Sequence, residues 1–435
     1  TGTGGLAFRA ASSIEVTPGD PPVTRAGNII VNRGVFTTSG GQVVMESPTL
    51  LNTNVSINTA GGNVVFQSKL DSQTVDRTLS ISAGSGNVVF GGLVGDTRQL
   101  SSISIANAGN VTANGVRVSN FVQTAGTGTT RLNSGTFSNG LDEPSNEALE
   151  VSANLFITSG SVVIAGEVNV DSPGNSVTLT ANGVSADSLG VVDIASSGDI
   201  TIAGPISIVA SEQAYVRGDL ESTGSSVSID SVGTLSLTGN VTADTTVTLD
   251  ADGGILLGGD ITTSNGRITL DDPVTLTGTS RIESDGGVVD IKSTIVGNSA
   301  WARDLTIDSG AGQILLGGTV GGTTDAESVG DLTLTTSSNL TINHTIRADS
   351  LVLNGVSSVG STTLNTTSIT TRRNQNYNNP VLVTQDLTLT TIDSQSVYFL
   401  GNLTSDSSAR TLVIDTAGQT RFDGAVGGGS NGSSG

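Results

Sequence analysis

The chain has no cysteine in 435 residues, which rules out disulfide staples and thiolate metal sites alike. It has one histidine, His344, so a Ser-His-Asp arrangement would have to be built around a single imidazole set in the alternating, strand-like run NLTINHTIRAD. Lysine is reduced to Lys69 and Lys292 among 18 basic residues, against 39 acidic ones. At a net charge of −21 the surface repels a nucleic-acid backbone, and no nucleic-acid partner is expected. Aromatics make up 3% of the chain, too few for an evident sugar-stacking cleft. No apolar run reaches the roughly 18 residues of a membrane-spanning helix, so no membrane insertion is expected. The opening TGTGGLAFRA has neither an initiator Met nor a basic-then-apolar leader, and reads as a processed or excised piece of something longer.

Glycine is abundant instead, with 58 residues, while charged residues are 13% against an average of about 25%. Turns are therefore frequent and the surface is Ser, Thr and Asn. A mean hydropathy of +0.09, with Val, Ile and Leu placed two residues apart, separates the chain from disordered sequences of similar polarity. Composition hardly changes along the length and no linker interrupts it, so residues 1–435 read as one elongated domain.

The organising stretch is Arg303 to Ile342, where short alternations (Leu305, Ile307; Ile314, Leu316; Leu332, Leu334; Leu340, Ile342) are separated by Gly, Asp, Ser and Thr. The same order recurs elsewhere. Val64-Val65-Phe66 and Val88-Val89-Phe90 lie 24 residues apart, and Val397-Tyr398-Phe399 and Thr420-Arg421-Phe422 lie 23 apart. Coils of about 20–25 residues with three short strands each are what a parallel β-helix requires. The expected fold is therefore all-β, a right-handed β-solenoid of roughly 18–20 coils, with Val stacked on Val and Phe on Phe. Loop excursions are expected near 13–25, which holds Pro18, Pro21 and Pro22, near 139–150 and near 371–380.

The run of Leu-x-Ile, Gly-rich turn, Val-Val-Phe or Ile-Leu-Leu, and Gly-Gly-x-Val-Gly-Gly, seen at 61–105 and 303–426, resembles the repeat arrays of long secreted bacterial surface proteins. It is similar to filamentous-haemagglutinin and autotransporter-adhesin passengers. The resemblance implies a right-handed β-helix at the cell surface, with adhesive or structural duty.

Candidate chemistry is sparse, and the chain is read as a non-enzyme. Parallel β-helices that cleave acidic polysaccharides use paired acids or Asp-bound calcium. The acids that invite comparison are Asp250, Asp252 and Asp260, with Asp beside Gly equally explained as turn chemistry. Calcium is the one cofactor the acidity suits, although no EF-hand loop or GGxGxD run is present. The loop TRRNQNYNNP holds the adjacent Arg372 and Arg373 and an exposed-looking Tyr377, and is the candidate contact for a glycan or surface ligand.

Leu6 to Val16 repeats the apolar pattern of Leu332 to Ile342, and Arg410 to Val426 repeats Arg303 to Val320. The chain thus finishes on the first half of the repeat and starts on the second. Head-to-tail self-association through Leu6, Phe8, Phe422 and Val426 follows as an expectation. The reading is an extracellular or cell-surface structural protein that stacks into a fibre or filament. The alternatives are an excerpt of a giant adhesin binding glycans, and a polysaccharide lyase or hydrolase on a β-helix.

Overall fold

A run of three to five residues with apolar side chains two apart buries only one face, and it needs other runs of its kind to bury that face against. Stacking successive runs in parallel meets this need, because each strand then repeats the pattern of the one below. The computed structural model is all-β, with one 3-10 turn at Asp325–Glu327 among the described residues, and its parallel strands stack as a β-solenoid. It describes residues 5–10, 27–119, 121–124, 176–181, 190–196, 198–355 and 360–427 in full. Residue 120 and the strands at 13–15, 23–25, 130–132, 135–142, 148–151, 155–159, 162–164 and 167–170 are described by their backbone. Contacts divide the chain into two units, 1–218 and 219–435.

In the first unit Val43 lies on Val64, Val64 on Val88 and Val88 on Val111. A second wall stacks Val55–Asn58, Thr78–Ser82 and Leu100–Asn107, and a third stacks Ile29–Val31, Thr49–Leu51 and Leu70–Ser72. The first wall continues by its backbone through Thr130–Leu132 and Ala148–Val151 to Ile200–Ile202.

In the second unit ten parallel strands, from Leu220–Ser222 to Thr420–Phe422, form one wall. The second runs from Val227–Ser231 to Leu403–Ser405. The third runs from Leu235–Leu237, by way of Val320, to Leu412–Asp415. Partners one turn apart are separated by 19 to 27 residues, a wider spread than the regular spacing of the clearest repeats suggests.

Inward positions are almost completely buried: Ile255, Leu257, Ile261, Ile268 and Leu270 are all at 0% exposure. Each such side chain contributes roughly 1.5–3 kcal/mol of burial, so the core supplies the stability that a chain without disulfides needs. Corners are held by side chains that accept from the next turn's backbone. Asn63 accepts from the Asn87 N–H and Asn87 from the Asn110 N–H, each at 2.8 Å. In the second unit Asp219, Asn240 and Asp260 accept in the same way from Asn240, Asp260 and Arg281.

The expected excursion at 13–25 carries Ser13–Glu15 and Val23–Arg25 as an antiparallel pair, unlike the parallel walls. It accounts for a first turn of 37 residues, from Leu6 to Val43, where the next, from Val43 to Val64, takes 21. Of the excursion expected at 139–150, residues 143–147 lie outside the described residues, and the strands Gly135–Asp142 and Ala148–Val151 flank them.

The expectation at 371–380 needs correction. This stretch is wall: Ser368–Thr371 and Gln375–Tyr377 are strands, and Gln375, Tyr377 and Asn379 point inward. Polar residues at the inward positions hide the alternation that would have marked it as strand. They are paired inside: the Tyr377 hydroxyl donates to Gln375 Oε1 at 2.9 Å, and Gln375 Nε2 donates to the Thr390 carbonyl at 2.9 Å.

Burial raises the Tyr377 hydroxyl far above the ordinary tyrosine value. In the unfolded chain it loses its proton near pH 10, whereas in the folded chain it keeps it. Stability from this group is therefore complete below about pH 10 and falls by about 1.4 kcal/mol per pH unit above it. In an alkaline absorbance titration Tyr377 should ionise only together with loss of the β-sheet circular-dichroism signal.

Candidate functional site

The first strand of the first unit, Leu6–Phe8, is covered on one side by Val43–Met45. Leu6 is 38% exposed, and Phe8 is half-buried, edge-on to Phe36 with ring centroids 5.6 Å apart. Val35, at the start of the adjacent wall, is 73% exposed. These are β-branched, leucine and aromatic side chains of the kind that later turns bury completely.

The last turn of the second unit has the same character. Tyr377, Phe399 and Phe422 form a ladder of parallel rings with centroids 4.5 Å and 5.2 Å apart. Phe399 is buried, whereas Phe422 remains 41% exposed. Val426 bridges Leu403 on the second wall and is 59% exposed, while Leu403 beneath it is 5% exposed. Val383, Leu403, Leu412, Val426 and the stem of Arg410 line a cleft of about 140 Å³ here. The four residues singled out in sequence lie on the first and last described turns, with Val35 and Leu412 beside them. Leu412 was legible from the alternation Leu412-Val413-Ile414, although it ends the third wall while Leu305, which it resembles in sequence, lies in the first. Val35 had no such signal, because its exposure depends on which strands stack beside it.

The candidate ligand loop is engaged elsewhere. Arg372 Nε lies 2.6 Å from Asp349 Oδ1, Arg373 also pairs with Asp349, and its guanidinium reaches Asp331 at 2.7 Å. Asp349 is 3% exposed, so both cations serve to satisfy a buried carboxylate. The bond to Asp349 holds the Arg373 guanidinium above its ordinary value. The Arg372 guanidinium also lies 5.9 Å from the centroid of the Trp301 ring. Tyr377, read from sequence as exposed, is buried at 0%, and its ring continues the Phe399 stack.

The acidic candidates are regrouped. Asp250 and Asp252 come together with Asp272, carboxylate oxygens all within 4.8 Å of one another. Asp260 is occupied in the corner ladder, accepting from the Arg281 N–H at 2.8 Å. Partial burial, then a hydrogen bond with Asp272 and the charges of Asp272, Asp230 and Asp271, raise the Asp250 carboxyl above its ordinary value. Three carboxylates can share a proton, or supply part of the six to eight oxygens that calcium takes. A cleft of about 360 Å³ is lined by Asp308, Gly310, Thr335, Ser337 and Asn354, with no aromatic side chain among them. No helix of the described residues is long and apolar enough to cross a membrane.

Comparison with protein-family models, curated proteins and solved structures finds no match.

Proposed function

We propose that the chain is an extracellular or cell-surface structural protein, whose uncovered turns stack head to tail on those of further copies to build a fibre or filament. One observation carries this reading: residues that face inward elsewhere in the coil, Leu6, Phe422 and Val426, are exposed on the first and last described turns. An uncovered turn also leaves the N–H and C=O groups of its strands free to pair, and a second copy offers strands of the same spacing. A heterologous contact of this kind propagates rather than closing. The acidic, Ser/Thr-rich surface agrees with a location outside the cell. No catalytic role is assigned. The resemblance to adhesin repeats supports the same class of duty, and an adhesive contact with glycans would use the outer faces.

The test is electron microscopy and sedimentation velocity of the 435-residue chain across a wide concentration range. Filaments lengthening with concentration are expected. Leu6→Asp combined with Phe422→Asp should abolish them, because each places a carboxylate where an apolar contact forms. Single particles at every concentration would sink the reading and favour a stretch of one longer array.

A further inference from the structure

Where the third wall of the second unit turns into the first, the corners at 238–240, 258–260 and 277–279 are short. In the next two turns the same corner lengthens to 298–304 and 321–328. Loops held on a rigid scaffold are where binding side chains are presented. The first of these two carries Trp301, the one tryptophan of the chain. Its φ is +58°. A bulky side chain on left-handed backbone is an outlier, and such strain persists only where the surroundings enforce it. Here they do. The Trp301 N–H donates to Ser328 Oγ at 2.9 Å, Ser328 is fully buried, and its hydroxyl donates to the Asp325 carbonyl at 2.5 Å. Arg303 Nε donates to Asn298 Oδ1 at 2.7 Å, and the Gly330 N–H donates to the Arg303 carbonyl at 2.6 Å. The strained backbone sets a half-buried indole beside Arg372, whose guanidinium lies 5.9 Å from the ring centroid. Among the described residues no acceptor meets the indole N–H.

The charges gathered at this corner are paired with one another. Arg372 and Arg373 both meet Asp349, Arg373 reaches Asp331 at 2.7 Å, and Arg372 lies 3.7 Å from Asp393. One turn away Arg347 meets Asp325 at 2.6 Å. These pairs narrow the class of ligand. An anion finds the guanidinium groups already compensated, and a cation would have to displace Arg372 from the indole. A neutral saccharide needs neither change. Its C–H face covers an aromatic ring, while its hydroxyls donate to carboxylates and accept from guanidinium and indole N–H groups. We propose that Trp301 is the platform of a site for a neutral saccharide on the outer surface of the second unit, with Arg372, Arg373, Asp331 and Asp393 held around it to meet sugar hydroxyls. The inference gives a place to the glycan contact named above and does not depend on self-stacking.

With one tryptophan in the chain, its fluorescence reports on this site alone. The full chain is titrated with cellotetraose, maltotetraose, mannotetraose and chitotetraose, and with oligogalacturonate and chitosan oligomers as charged comparisons. A saturable change in Trp301 emission is expected with at least one neutral probe. Raised salt should leave that affinity within about twofold, because no net charge is neutralised on binding. By calorimetry Trp301→Gly should lose about tenfold or more in affinity, and Trp301→Phe, which keeps a ring, should lose less. Glycine accepts this backbone conformation without strain, so Trp301→Gly should keep the far-UV circular dichroism of the unsubstituted chain. No saturable change with any neutral probe, binding of a charged probe alone, or an unchanged affinity in Trp301→Gly would overturn the proposal. Filament formation is read separately by sedimentation velocity and should be the same in Trp301→Gly, so either reading can fail while the other stands.

Discussion

Replacing Phe399 by alanine should cost about 3–5 kcal/mol in the urea unfolding of the second unit. The ring lies between Tyr377 at 4.5 Å and Phe422 at 5.2 Å, nearly parallel to each with interplanar angles of 7° and 8°, and is 1% exposed. Truncation removes its own burial and also both stacking contacts. The space left behind cannot collapse readily, because the wall above and below is held at the fixed spacing of parallel strands. Phe399→Leu, which keeps most of the volume, should cost markedly less. Equal losses for the two variants would show that the site repacks, contrary to this account. Because turns of a solenoid interact chiefly with their neighbours, the loss should show as a separate early unfolding step rather than a uniform shift of the transition.

Gly266→Ala should be nearly as damaging, at about 3 kcal/mol, the upper end of overpacking costs. A Cβ at Gly266 would stand 0.8 Å from the Thr245 carbonyl oxygen, and backbone cannot turn aside as a flexible side chain can. The crowding is part of how the corner is built. Thr263 Oγ1 and Ser284 Oγ both donate to the Gly266 carbonyl at 2.8 Å, drawing two turns together at that point. Gly40→Ala is the informative comparison. Gly40 has φ of +87°, but a methyl group added there would meet nothing within 4 Å. Its cost should be the left-handed backbone penalty of about 1–2 kcal/mol alone. Chemical denaturation of both variants distinguishes the two reasons for glycine, and equal effects would overturn the steric account.

Most of the coil was legible because its signal is local and repeated. Val64-Val65-Phe66 and Val88-Val89-Phe90 announce the same strand twice, and they do stack residue for residue. The failures came where chemistry at the inward positions departs from hydrocarbon. Gln375 and Tyr377 look like a polar loop in sequence, yet they pair with each other in the core, and only the neighbouring walls supply the Thr390 carbonyl that completes the set. The acidic cluster failed for a different reason. Sequence proximity grouped Asp260 with Asp250 and Asp252, but a turn of the coil brings Asp272 across instead, 22 residues beyond Asp250 in the chain.

The amino-acid order by itself determined the class of fold, the three-strand coil and the positions of most core residues. Alternation and spacing are properties of neighbours along the chain, so they can be read there. Tertiary structure alone decided which polar residues are buried, which glycines are sterically required, which carboxylates meet, and which apolar side chains stay uncovered. Each of these depends on what lies one turn above or below. That distance is under about 5 Å in space for paired strands, but 19 to 27 residues along the chain in the second unit, and it varies from turn to turn.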